Sequence, residues 1–285
     1  MKRGDIGGQA VLEGVMLRSP RFEAVAVRAA NGKIMTWRAP VTSLTTKKGF
    51  FGLPLIRGIV ALYESLRSAI SSLTLSVNLV EPEENISSGQ MVLATMIALA
   101  LGIGLFFLLP TVLVAPLAGK LGPGSINLLE GLVRVLIFVG YLSVVGLSKD
   151  IRRTFAYHGA EHKVIMCWEE GKPLNVESAA TCSRFHPRCG TSFLLLVVVL
   201  SIVIFSFFSP PNLLAKLGLR LALLPLLTGL SYELIRWTAK SSSPVARVLL
   251  TPGLLLQKLT TREPDSGQLE VALAALAAVI DRDEE

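Results

Sequence analysis

All three histidines and all three cysteines of this 285-residue chain fall between His158 and Cys189. The first half of that segment reads His158-Gly159-Ala160-Glu161-His162. Residues four apart on a helix project from one face, one turn apart, so His158 and His162 can share a metal ion, with Glu161 on the same side. The order His-x-x-Glu-His is the inverted form of the zinc-protease motif, in which two imidazoles hold Zn²⁺ and the glutamate is general base toward the attacking water. The second half, Arg184-Phe185-His186-Pro187-Arg188-Cys189, adds an imidazole and a thiol at His-x-x-Cys spacing, stiffened by proline. Neutral imidazole and thiolate are ligand types that Zn²⁺ prefers; four would close a structural site, and three would leave a position open for catalysis. Glu177, further along the same segment, is a candidate carboxylate ligand or a partner for a coordinating histidine.

Two other readings use the same residues. His158, Glu161, His162 and His186 could form a polar network that fastens the segment in place. Cys189 could be a nucleophile with His162 or His186 as its base, although no oxyanion-hole or acid-partner pattern accompanies it. Cys167 and Cys182 stand outside the pattern and read as small buried residues. Three cysteines, an odd number, in a reducing compartment argue against a disulfide framework.

The elements that must position this segment are apolar. Hydrophobic residues make up 51% of the chain and mean hydropathy is +0.57. Residues 85–119, 189–215 and 221–232 carry no charge, and 131–148 carries only Arg134. About 20 apolar residues span a bilayer core, so four transmembrane helices are expected near 91–115, 127–147, 192–208 and 218–235, in a mainly α, polytopic membrane protein. The first ten residues have no apolar run after Lys2 and Arg3, so a cleaved secretory signal is not expected.

The net charge of +7 would suit nucleic-acid binding in a soluble protein. Here it follows the positive-inside bias, and no nucleic-acid partner is expected. Lys and Arg number eleven before residue 91, one in 116–126, seven in 148–190, two in 209–220 and six after 235. That alternation puts both termini and the His/Cys segment on the cytoplasmic side of the inner (plasma) membrane, in contact with the lipid bilayer.

Six regions follow: an N-terminal β-containing region 1–50, an amphipathic helix 51–80, spanning helices in 81–147, the His/Cys loop 148–190, spanning helices in 191–240, and a helical tail 241–285. Gln9 and Glu13 sit four apart, and on a helix they would face one way and could reach a neighbouring site. Phe22–Arg28 and Lys33–Arg38 flank Asn31-Gly32 and predict a β-hairpin. Leu55, Ile59, Leu62, Leu66, Ile70, Leu73 and Val77 recur at the period of one helix face, which fits an interfacial helix or packing along the bundle. Thr251-Pro252-Gly253 separates Val245–Leu250 from a helix over Leu254–Leu259, and a last helix starts near Ser266, capped by Asp265 or Ser266. Arg134 follows Glu130 at i+4, a pair expected at the membrane interface. No chain of intramembrane acids and no paired broken helices appear, which disfavours a transporter.

Taken together, Gly7–Val11 with Glu13–Met16, Arg57-Gly58 with Glu64–Leu66, His158–Lys163, His186–Phe193 and Pro252–Asp265 resemble the bacterial YqhQ family of multi-pass membrane proteins. Family members are often described as metal-dependent enzymes, and the resemblance implies His158, Glu161, His162, His186 and Cys189 as the functional positions. The expectation is a Zn²⁺-type site at the cytoplasmic membrane surface that performs hydrolysis, with Glu161 as the base. The competing expectation is a non-catalytic scaffold, or an assembly or insertion accessory, that binds partner membrane proteins through residues 52–79.

Overall fold

The computed structural model describes residues 6–44, 49–83, 86–117, 120–208, 210, 212–238, 241 and 243–280. Lys2, Arg3, Lys47, Lys48, Lys240 and Arg282, counted above in the charge pattern, lie outside them.

The N-terminal region is a four-stranded antiparallel meander: β1 (Gly7–Val11), β2 (Gly14–Arg18), β3 (Phe22–Arg28) and β4 (Ile34–Pro40), paired in that order. The predicted hairpin is its β3–β4 half. The helical reading of Gln9 and Glu13 is overturned: Gln9 lies on β1, and Glu13 turns the chain into β2 with φ 51. Side chains alternate across a strand, and the central strands β2 and β3 are buried on both faces. Val15, Leu17, Ala24 and Ala26 face Tyr157, Ala160 and Val164 on one side, together with Leu269, Ala272 and Leu276. Val11, Met16, Val25 and Val27 pack on the other side against Leu75, Leu79 and Val80.

Those last three residues belong to α1 (Ile56–Val80). Part of its apolar stripe faces outward. Ser68, Ser72, Thr74 and Ser76 are its buried side chains in this half, whereas Ile59, Leu66 and Leu73 are exposed. The hydroxyls meet polar groups of the sheet: Gln9 Nε2 donates to Ser72 Oγ at 2.8 Å, the Leu12 amide donates to Ser76 Oγ at 3.3 Å, and Ser68 donates to Glu23. Small hydroxyl residues let the sheet approach the helix closely, and Ile59, Leu66 and Leu73 are left to face outward.

The apolar layer contains α2 (Ser88–Ile103), a π-helical segment at Gly104–Leu108, α3 (Leu109–Val114) and α4 (Pro123–Val145). The widened turn directly precedes Pro110, which has no N–H to bond the Phe106 carbonyl and crowds the preceding turn. After α4 the expected loop is largely helix: α5 (Lys149–Glu169) and the short α6 (Val176–Thr181). Then come α7 (Gly190–Ser206), α8 (Leu213–Thr238), α9 (Pro244–Thr260) and α10 (Ser266–Val279). Asp265 caps α10 in a reciprocal box with Gln268.

Three stretches are long and apolar enough to cross a membrane: Ser88–Leu117, Gly124–Val145 and Leu214–Thr238. The fourth expected span is α7, an apolar helix of 17 residues that falls short of that length. Large side chains such as Leu101, Leu136 and Val144 lie exposed on this layer, as apolar helices in contact with a bilayer require. Thr251-Pro252-Gly253 does not break its helix. Pro252 withdraws one donor from the Val248 carbonyl, on a turn whose side chain is largely exposed, and α9 runs through it.

Candidate metal centre

α5 carries the first half of the site. Tyr157, Ala160 and Val164 bury one stripe of it against the sheet. The neighbouring stripe, one residue on, presents His158, Glu161 and His162. Gly159 faces away from the sheet, toward the segment after α9: a Cβ there would stand 2.0 Å from the Arg262 carbonyl oxygen. The close approach lets the Arg262 amide donate to Phe155 O at 2.8 Å and brings the Thr260 carbonyl beside His158.

That carbonyl decides the tautomer of His158. Its oxygen only accepts, and His158 Nδ1 lies 2.8 Å away, so Nδ1 carries the proton and Nε2 keeps its lone pair. His162 repeats the arrangement, with Nδ1 at 2.6 Å from Arg184 O. The two rings stand 4.4 Å apart between centroids. Cys189, the N-cap of α7, places Sγ 3.3 Å from His158 Nε2 and 3.1 Å from Thr191 Oγ1. One ligand atom from each of His158, His162 and Cys189 lies within 4.8 Å of the others.

The donor set fits a Zn²⁺-type ion. A tetrahedral ion with Zn–N near 2.0 Å and Zn–S near 2.3 Å separates its ligand atoms by roughly 3.3–3.6 Å. The His158–Cys189 pair already has that spacing, and backbone carbonyls orient both imidazoles from behind, as coordinating histidines require. Burial pushes the His162 pKa below its ordinary value, against opposing hydrogen bonds from Cys189 and Arg184, so its ring is neutral near pH 7 and available as a ligand.

Glu161 is buried and faces a cavity of about 270 Å³, lined also by His158, His162, His186, Arg188, Cys189 and the start of β1. Among the described residues no donor reaches its carboxyl group within hydrogen-bonding distance. His158 Nε2 lies 3.9 Å from it. Burial raises its pKa, while His158 and His186 pull it down. The β1 backbone closes over it at Gly8, where a Cβ would meet Met16 O at 2.4 Å and Glu161 Oε1 at 3.1 Å.

His186 lies at the same cavity but outside this group of three. Its Nδ1 accepts from the Arg188 amide at 3.3 Å, which leaves Nε2–H for Glu169 at 3.4 Å. Its backbone is gripped by Gln257 of α9: the His186 amide donates to Oε1 and Nε2 donates to the His186 carbonyl, both at 2.8 Å. Gln257 Nε2 also reaches Ser192 Oγ at 3.2 Å, so one fully buried side chain ties α9 to the turn before α7. Glu169 pairs with Arg188 as well, and sequence reading missed it. Its signal was present, since it lies two turns after His162 on one face of α5.

The remaining candidates are elsewhere. Glu177 is exposed in the first turn of α6 and does not line the cavity. Gln9 is engaged with Ser72, and Glu13 with Arg153 and the Tyr157 hydroxyl, the latter at 3.2 Å. Cys167 and Cys182 are buried and reduced, away from the cavity. Lys163 donates to Ala180 O at 2.8 Å and pairs with Glu263, which fastens the segment after α9 to α5.

Fold and site together define a chain with three helices long and apolar enough to cross a membrane, joined to a sheet-and-helix body that holds a His/Glu/Cys cavity. It belongs to the family of proteins of unknown function DUF1385, whose model matches residues 53–282. It is 32% identical to the uncharacterized protein YqhQ of Bacillus subtilis (strain 168), over 94% of this chain and 89% of that protein. No solved structure matches.

Proposed function

We propose that the chain is an integral membrane protein with a Zn²⁺-type centre held by His158, His162 and Cys189, which catalyses a hydrolysis at the membrane surface. The observation that carries this reading is the convergence of one ligand atom each from His158, His162 and Cys189 within 4.8 Å, each imidazole donating its Nδ1 proton to a backbone carbonyl. Three protein ligands are the number that leaves a catalytic position open. Bound there, the ion would supply Lewis acidity. Glu161 holds and moves the proton: its carboxyl group lies beside the ligands, desolvated and without a competing donor among the described residues. β1 excludes bulk water from that carboxyl group, while Arg188 lines the cavity and, paired with Glu169, positions the His186 turn.

In this reading α7 is a fourth span. At 1.5 Å per residue its 17 residues reach about 25 Å, close to a bilayer core of about 30 Å. Both termini and the cavity then lie on the cytoplasmic side of the plasma membrane, as the Lys/Arg pattern implies. The test is metal analysis of the purified full-length protein before and after His162→Ala. About one equivalent in the native protein, lost in the variant, is expected; no stoichiometric metal in either sample ends the proposal.

A second reading rests on α1. Its outward stripe of Ile59, Leu66 and Leu73, with Tyr63, suits a scaffold that contacts lipid or partner membrane proteins. It predicts that Glu161→Gln leaves cellular function intact, whereas polar substitutions along the stripe abolish it. Hydrolysis at the cavity predicts the opposite ranking.

A further inference from the structure

Far from the His/Cys cavity, the apolar layer encloses a second polar cluster. Glu130 of α4 is 1% exposed, and three cations close on it: Arg134 at 3.2 Å, Lys216 at 2.7 Å and the Arg220 guanidinium. Thr111 Oγ1 lies 2.7 Å from the same carboxylate. One carboxylate against three cations leaves two positive charges in excess among the described residues. Buried charge in an apolar layer is costly unless it is paired, so such an excess marks a functional site by default.

The three cations are not equivalent. Arg134 spends its whole fork on the protein: Nε donates to Phe106 O at 2.9 Å, Nη1 to Ser201 Oγ at 2.9 Å and Nη2 to Glu130. The Phe106 carbonyl is the one that Pro110 cannot bond, so Arg134 repairs the helix as well as pairing the acid. Arg220 is 3% exposed, and both of its hydrogen bonds, to Thr111 at 2.6 Å and to Glu130, run through Nη1. Nε and Nη2 have no acceptor among the described residues. Arg220 and Lys216 line one cleft with Asn127, Phe205 and Phe208, of which about 10 Å³ is enclosed. That is room for one water or one oxygen atom. Asn127 Nδ2 is turned away from the cleft's cations by bonds to the carbonyls of Phe205, at 3.1 Å, and Phe208, at 3.4 Å.

We propose that this cleft is an oxyanion site that takes one oxygen of a phosphate group on Arg220 and Lys216, the rest of the anion lying at the mouth. An arginine with unused donors presents the planar fork that matches phosphate oxygens, and lysine adds a point charge. A bound phosphate would neutralise the excess that Glu130 leaves. Phe205 lies sixteen residues along α7 from Cys189, so the two sites are roughly 24 Å apart, at opposite ends of that helix. The phosphate can come from a phospholipid headgroup or from solution.

Thermal unfolding of the full-length protein in uncharged maltoside micelles separates the sources. It is followed with sodium phosphate, with phosphatidylglycerol, and with sodium chloride at matched ionic strength. A site filled at a hundredfold excess over Kd raises the midpoint by roughly 5–11 °C. A rise with both phosphate arms assigns the site to a phosphate group in general, and a rise with phosphatidylglycerol alone assigns it to a headgroup. Lys216→Gln removes one charge-assisted donor and weakens binding about tenfold or more, whereas Glu130→Gln increases the positive excess and tightens it. A purely structural ion cluster would not move affinity in opposite directions. The proposal is overturned if neither phosphate arm shifts the midpoint, if chloride shifts it equally, or if Lys216→Gln responds as the native protein does. That last result suffices even where Glu130→Gln does not fold.

Discussion

Replacing Gln257 by Leu should damage the site without touching a ligand. The side chain is fully buried and makes three hydrogen bonds, two of them to the amide and carbonyl of His186. Leucine has nearly the same volume, so no large cavity opens. The loss is polar: two buried backbone groups are left without partners, at about 1–3 kcal/mol each, or about 2–6 kcal/mol in all. At about 2–4 °C per kcal/mol for a chain of this size, the unfolding midpoint in detergent should fall by at least ~4 °C. Because His186 precedes Cys189 by three residues, the turn that aims Sγ at His158 should loosen too, and metal retention should fall with the midpoint. Gln257→Glu keeps the acceptor and loses the donor, so it should fall between the two. A Gln257→Leu protein that melts within 1 °C of the native one and keeps its metal would refute the reasoning.

Other outcomes follow from the same structure. Gly159→Ala should drive a methyl into the Arg262 carbonyl and cost about 1–3 kcal/mol, read as faster protease cleavage of the segment between α9 and α10. Cys167, whose pKa burial and the neighbouring Cys182 push up to about 11, should hold roughly one thiolate in a thousand at pH 8. Iodoacetamide labelling followed by peptide mass spectrometry should therefore find Cys167 slow, with its rate rising tenfold per pH unit up to about pH 11. Cys189, which opens on the cavity, should take the label first once a chelator is present. On α1, Ser72→Leu should destabilise by about 1–3 kcal/mol and Leu66→Ser by under about 0.5 kcal/mol in micelles, which identifies the hydroxyl face as the packed one.

The part of the site that was legible in sequence is the part set by local geometry. His158, Glu161 and His162 converge because four residues make about one helical turn, and Cys189 could be singled out by its ligand chemistry. What escaped notice depends on contacts distant in sequence or on faces that looked ordinary. Gln257 is a lone amide among leucines, and nothing local shows that its partners are the backbone of His186. His186 has the right chemistry, yet Arg188 and Glu169 occupy both of its nitrogens. Lys216 and Arg220 enter the sequence only as the two basic residues of 209–220 until the fold sets them against Glu130.

The fold divides in the same way. Asn31-Gly32 marked the β3–β4 turn, since those residues tolerate positive φ. The β1–β2 turn has Glu13 at φ 51, a conformation for which glutamate gives no signal, and two strands were missed with it. On α1 the apolar stripe drew the attention that belonged to serines spaced four apart. Hydrophobicity identifies which face leaves water, and a bilayer or a partner can receive that face as well as a protein core can.

X-ray absorption at the zinc edge of the zinc-loaded full-length protein tests the metal centre most directly. The expected spectrum has one sulfur scatterer near 2.3 Å and nitrogen or oxygen scatterers near 2.0–2.1 Å, with the sulfur lost in Cys189→Ala and retained in His186→Ala. A shell without sulfur, or one that His186→Ala alters as much as His162→Ala does, would contradict a site built from His158, His162 and Cys189.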